Sequence, residues 1–136
     1  MKVPPNAPCA CHSGQKYKRC CRPYHRGAQV GQPELLMRAR YAAFSYGLAA
    51  YVMQTTHPSS PSIEADPAAW ERSILEFARD TRFAGLEVEA ASGSENEASV
   101  TFRAMLWQGE RDVSFTERSR FLREGDRWLY HSGVVS

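Results

Sequence analysis

The chain is predicted to be an α+β protein, helices first and hairpin-linked strands afterwards, with a small metal-binding piece at its N-terminus. Three observations predict this class. Apolar residues recur at helical spacing from Pro33 to about Phe83, they alternate with period two from Gly85 onward, and all four cysteines fall within residues 9–21. The 136 residues give room for one domain plus an appendage, divided here into a knuckle over 1–27 and an α+β domain over 28–136.

The composition, 43% apolar and 24% charged, is that of a globular protein, and the longest apolar run, Leu48 to Met53, is too short for a bilayer. The opening "MKVPPNAPCA" has prolines where a secretory signal needs an unbroken apolar core, so a cytoplasmic location is expected. The net charge of +2 hides a split. Up to Arg40 eight basic residues face Glu34 alone (+7), and the remainder carries nine basic against fourteen acidic residues (−5). Such asymmetry suggests two pieces with different partners.

The knuckle reads Cys9-x-Cys11-x8-Cys20-Cys21. In a reducing compartment clustered cysteines are more often metal ligands than disulfides. Four thiolates suit tetrahedral Zn²⁺, and Ser13-Gly14 supplies the turn that brings the second pair back to the first. With all four positions filled by protein, one structural ion is expected rather than a catalytic one. A redox dithiol would show Cys-x-x-Cys beside a βαβ pattern, which is missing, and a bridge between the adjacent Cys20 and Cys21 would strain the backbone. His12 and His25 are alternative ligands, His25 the better placed because His12 directly follows Cys11. Lys16, Tyr17, Lys18 and Arg19 between the cysteine pairs are the expected partner-binding surface. A protein partner is the first reading. Weak, salt-sensitive nucleic-acid binding is the rival, since Tyr17, Tyr24 and His25 interleave with the basic residues.

After the linker "RGAQVGQ", Pro33 opens a helix with the apolar face Met37, Tyr41, Phe44, Leu48 and Tyr51, kinked or split at Gly47. "HPSSPS" is a loop, and Asp66-Pro67 caps a second helix with the face Trp70, Ile74, Phe77 and Ala78, ending near Phe83. "GLEVEAA" is the first strand and "SGSENE" its turn; Val100, Phe102, Ala104 and Leu106 mark the second strand. A third runs from Val113 to Phe121, and a fourth from Arg127 to His131 after Glu124-Gly125-Asp126. On the third strand Glu117 and Ser119 share a face with Phe115 and Phe121. A carboxylate on an apolar face needs a partner or a ligand, so a possible pocket is assigned to Tyr41, His57, Glu117, Ser119, Trp128 and Tyr130. A general acid/base pair of Glu117 with His57 requires an approach to about 3 Å. The competing reading is a filled core in which Glu117 is satisfied structurally.

Two resemblances follow from these residues. "CACHSGQKYKRCC" resembles the SEC-C motif, the zinc knuckle at the C-terminus of the SecA translocase ATPase and in many small bacterial proteins. Ser13, Gly14, Lys16, Tyr17 and Lys18 match it beside the cysteines, while Ala10 stands where proline is usual and His12 where glycine is usual. The resemblance implies zinc held by Cys9, Cys11, Cys20 and Cys21, and docking on a chaperone or ribosomal partner. "LMRARYAAF", His57-Pro58, "GLEV" and Glu117-x-Ser119-x-Phe121 followed by Gly125, Trp128, Tyr130 and Gly133 resemble the YchJ-like family of bacterial proteins. That resemblance implies the cystatin-like cone of the nuclear transport factor 2 (NTF2) superfamily, a fold that hosts both enzymes and binding proteins. Family members often carry histidine before the glutamate, where this chain has Thr116. The function expected is non-enzymatic: zinc-dependent docking by the knuckle, with small-molecule binding or catalysis in the cone as the alternative.

Overall fold

The computed structural model describes residues 3–136, so Lys2, one of the basic residues counted above, lies outside the described residues. A 3-10 turn at Tyr17–Arg19 and the short helix α1 (Arg22–His25) complete the cysteine-bearing segment. Helix α2 (Pro33–Tyr46) has proline in its first turn, where the missing N–H costs nothing, and ends at Gly47 in the left-handed conformation (φ 71°, ψ 30°). Helix α3 (Ala49–Gln54) follows, so the long apolar run is two helices split at that glycine. Helix α4 (Pro67–Asp80) is capped by Asp66, whose carboxylate accepts the Ala68 N–H at 3.0 Å. It stops before the predicted end near Phe83, because Arg82 and Phe83 already pair with Trp107 and Leu106 in the sheet.

The strands are β1 (Arg82–Gly93), β2 (Glu97–Gln108), β3 (Arg111–Asp112), β4 (Phe115–Glu124) and β5 (Arg127–Val135). Their order is β1-β2-β4-β5, each neighbour antiparallel, with β3 hooked onto the end of β2. The third apolar run starts its strand at Phe115 rather than Val113, since the Asp112 carboxylate takes the Ser114 N–H at 2.9 Å in a local turn. The fourth continues past His131 to Val135 across a bulge, where Phe121 faces Tyr130 but Arg120 faces Ser132. That extra residue brings Gly133, not Ser132, to the face carrying Ser119. Register shifts in β1 bend the other side of the sheet.

The inner face presents Val100, Phe102, Ala104 and Leu106 of β2, Phe121 of β4 and Trp128 of β5 to Leu36, Met37 and Tyr41 of α2. Val30, within the stretch read as linker, is buried in the same core. The chain after α3 returns to the sheet: Thr56 forms a parallel bridge with Tyr130, whose N–H donates to the Thr55 carbonyl at 2.9 Å. No helix is long and apolar enough to cross a membrane among the described residues.

Gly47 has space for a methyl group, its nearest side-chain neighbour being 3.8 Å away, so the cost of a side chain there is conformational. Gly47→Ala is expected to lower stability by about 1 kcal/mol, seen as a lower urea midpoint at unchanged m-value.

Candidate metal centre and cone cavity

The four cysteines converge. Cys9, Cys11, Cys20 and Cys21 are free thiols whose sulfurs all lie within 4.8 Å of one another, three of the residues buried and Cys20 partly so. This donor set can hold a metal ion. Local backbone bonds shape it. The Cys9 N–H donates to the Gln15 carbonyl at 2.8 Å, the Tyr17 N–H to Ala7 at 2.8 Å, and the Cys20 N–H to Tyr17 at 3.0 Å, closing a small two-limbed loop. Hydrogen bonds from Cys21 and Cys9 hold the Cys11 thiol well below its ordinary range, and donating to it pushes Cys9 up to about 12. The pocket therefore favours a thiolate.

Gly14 makes the predicted turn (φ 89°), and so does His12 (φ 61°). Left-handed backbone at a residue with a Cβ costs about 1–2 kcal/mol. What offsets it is contact with the body of the protein. His12 Nε2 donates to the Phe83 carbonyl on β1 at 3.1 Å, and the ring stands edge-on to Tyr41 at 5.9 Å. His12 is thus an anchor, not a ligand. His25 is no ligand either: its Nε2 donates to the Ala39 carbonyl at 2.8 Å and its Nδ1 accepts the Tyr17 hydroxyl at 2.7 Å. Burial lowers its pKa, in keeping with a neutral ring.

These bonds seat the knuckle on α2. Cys9, Cys11, Tyr17 and Cys21 pack with Ala39 and Ala42, the Ala10 N–H donates to the Tyr46 hydroxyl at 2.9 Å, and Arg38 Nη1 donates to the Cys11 carbonyl at 3.2 Å. Tyr17, read from the sequence as partner-facing, is 5% exposed and belongs to this internal interface. Lys16 and Arg19 are exposed and Lys18 half-exposed. Tyr17 and His25 turn inward, and Tyr24 packs against both this cluster and the main core.

Behind α2 lies a cavity of about 500 Å³ between α2, α4 and the inner face of β2, β4 and β5. Of the predicted pocket residues Tyr41, Glu117, Ser119 and Tyr130 line it, while His57 and Trp128 do not. Trp128 is a member of the filled core. His57 Nε2 pairs with Glu124 at 2.9 Å and its Nδ1 accepts the Ser59 N–H at 3.0 Å, so neither nitrogen reaches Glu117. The Glu117 carboxylate instead accepts the Ser119 hydroxyl, and the Tyr130 hydroxyl at 3.5 Å. It also lies over Gly133, where an added Cβ would collide with it. Sequence reasoning missed Arg40, which lines the cavity, is 7% exposed, and falls three residues after Met37 on the apolar stripe. Its signals were that position and its place within "LMRARYAAF".

Two predictions follow from this geometry. His12→Ala loses the Phe83 bond and keeps the strained backbone, whereas His12→Gly loses the bond and relieves the strain. The alanine variant is expected to be the less stable of the two by about 1 kcal/mol in urea titration. Burial pushes Tyr41, Tyr46, Tyr51 and Tyr130 up to about 12 from an ordinary value of 10.0. The neutral phenols are favoured in the fold, so this stability is fully present below pH 10 and is lost as pH rises towards 12. Urea midpoints should fall across that window, less steeply in Tyr46→Phe.

Comparison with known proteins places the two parts. Residues 32–133 match the family model described as YchJ, middle NTF2-like domain, and residues 6–23 match the SEC-C motif. A UPF0225 protein of Bordetella parapertussis is 37% identical over 141 residues, spanning 99% of both chains. One of Deinococcus radiodurans is 35% identical over 128 residues, covering 93% of this chain and 88% of its own. The solution structure of a SEC-C motif containing protein from Rhodopseudomonas palustris superposes with a TM-score of 0.82 at 29% identity, covering 96% of this chain and 99% of the other. A crystal structure of a SEC-C motif containing protein from Psychrobacter arcticus gives 0.76 at 27%, covering 95% and 81%.

Proposed function

Because the chain belongs to the YchJ-like family, an NTF2-like domain preceded by a SEC-C motif, we propose that it is a zinc-braced binding protein whose cone takes up a small molecule. The observation that carries this reading is the cavity of about 500 Å³, apolar over most of its wall and with Arg40 and Glu117 converging on it. Ligand pockets run from roughly 300 to 1,000 Å³ and have this composition. Glu117 and His57 are not brought together, so binding rather than acid/base catalysis is the function the side chains support.

Zinc suits the knuckle by distance and chemistry. Sulfur separations of 3.4 Å for Cys11–Cys20 and 4.0 Å for Cys20–Cys21 bracket the ~3.8 Å edge of a sulfur tetrahedron built on Zn–S bonds of about 2.3 Å. Such an ion supplies cohesion, not a reactive water. Cys9 and Cys11 on one limb and Cys20 and Cys21 on the other would be held together, keeping Tyr17 and the cysteines packed on Ala39 and Ala42. The opposite side of the same helix presents Met37, Arg40 and Tyr41 to the cavity. Metal binding thus reaches the cavity through the position of α2.

A second reading, a protein partner docked on the knuckle, draws on one observation. Lys16, Arg19 and Arg26 are exposed and have no carboxylate partner among the described residues. An acidic protein surface would complement them. A partner bound by the native protein and released by Lys16→Glu/Arg19→Glu is the outcome that reading requires.

Purified protein is expected to contain about one equivalent of zinc, with thiols protected from alkylation until a strong chelator is added. Chelation should lower the melting temperature and weaken binding of an aromatic probe to the cone. An unchanged melting temperature after zinc loss would refute the bracing role, and a disulfide mass in the native protein would overturn the metal site.

A further inference from the structure

Arg40 is a buried cation without an anion. Its Nη1 donates to the Val52 carbonyl at 2.9 Å and to the hydroxyls of Thr55 at 2.7 Å and Thr56 at 3.1 Å, and its guanidinium carbon lies 4.5 Å above the Tyr130 ring. No carboxylate comes within 4.0 Å of it among the described residues. Glu117 attracts it from farther away, but that carboxylate is already bonded by Ser119 and Tyr130. The Nε and Nη2 groups donate to no protein atom among the described residues, yet no buried side-chain nitrogen lacks a partner. Both groups therefore open on accessible space, and the space that Arg40 lines is the cavity.

A buried charge is costly unless paired. Arginine cannot shed its proton near neutral pH, and its Nε–Nη2 edge is the fork that fits a carboxylate with two parallel bonds. The charge balance of the wall narrows the class of ligand. Arg40 is the cation lining the cavity, while Glu117 and Glu64 line it as carboxylates. The wall thus carries a net charge of −1, which repels a dianion such as a phosphate monoester more strongly than a monoanion, whose single charge the Arg40 fork can pair locally. The rest of the wall is mostly apolar, with Phe44, Phe77, Phe102 and Phe115 among its residues.

We propose that the cone binds an organic monocarboxylate with an apolar body, its carboxylate on the Nε–Nη2 edge of Arg40 and its hydrocarbon part among the four phenylalanines. This rests on the reading of the cone as a binding cavity and adds to it the chemistry of the ligand.

The test uses the full zinc-loaded chain and three probes of one shape: naphthalene-2-carboxylate, its neutral carboxamide, and 2-naphthyl phosphate, followed by NMR shifts of the cavity aromatics and by calorimetry. The carboxylate should bind about tenfold or more tighter than the carboxamide, the difference a charge-assisted pair makes, and tighter than the phosphate. Arg40→Gln should abolish that preference. Glu117→Gln, which removes a like charge and keeps the shape, should widen the ratio of carboxylate to carboxamide affinity; it serves if Arg40→Gln does not fold, and an unchanged or narrowed ratio counts against the proposal. Equal binding of carboxylate and carboxamide, or a tighter phosphate, overturns the proposal while leaving the cavity reading intact. Failure of all three probes to perturb the cavity aromatics overturns both.

Discussion

The burial of α2 on two sides is the constraint on which the rest of the structure depends. On one side Ala39 and Ala42 are small enough for the four-cysteine loop to lie directly on the helix. On the other, Leu36, Met37 and Tyr41 meet the inner face of the sheet. A helix clamped in this way has no solvent stripe of its own along its middle turns, and Arg40 is carried inside with its neighbours. Arginine is tolerated there because α3 ends within reach: the carbonyl of Val52 and the hydroxyls of Thr55 and Thr56 gather around one guanidinium nitrogen.

This arrangement joins parts that the sequence reading kept separate. The cysteine segment is not an appendage tethered by a linker. Val30 in the supposed linker is buried in the main core, and His12, Ala10, Cys11 and His25 each bond to α2 or β1. The departure from glycine at His12 makes sense in that light. The imidazole reaches across to Phe83, which a glycine could not do, and the bond is made at the expense of backbone comfort.

Much of this was legible in the sequence, for local reasons. The thiolates announce themselves because their spacing is short, the strands because their apolar residues alternate, and the helix break because Gly47 stands within an apolar run. What was not legible depends on distant partners. Tyr17 sits in a run of basic residues and reads as surface until Ala39, Ala42 and Tyr46 are seen packed over it. His57 and Trp128 occupy positions compatible with a pocket, and only the register of β5 and the loop after α3 sends one to Glu124 and the other into the core. Phe83 looked like the end of a helix because its aromatic ring continues the α4 stripe, and in space it does stack edge-on against Phe77. Strand pairing with Leu106 decided its backbone. Arg40 was passed over since a charge on an apolar stripe is normally discounted.

The bridge between Thr56 and Tyr130 bears on how the chain assembles. The other pairings in the sheet join strands linked by short stretches of chain, so each closes at small entropic cost. Thr56 and Tyr130 are 74 positions apart in sequence, and their contact closes a loop around the entire meander. Among the described residues it is the one main-chain pairing between the helical half and the sheet. Its opening would release the end of α3 from β5 while leaving the hairpins paired, and Arg40, bonded to Val52, Thr55 and Thr56, lies along that seam.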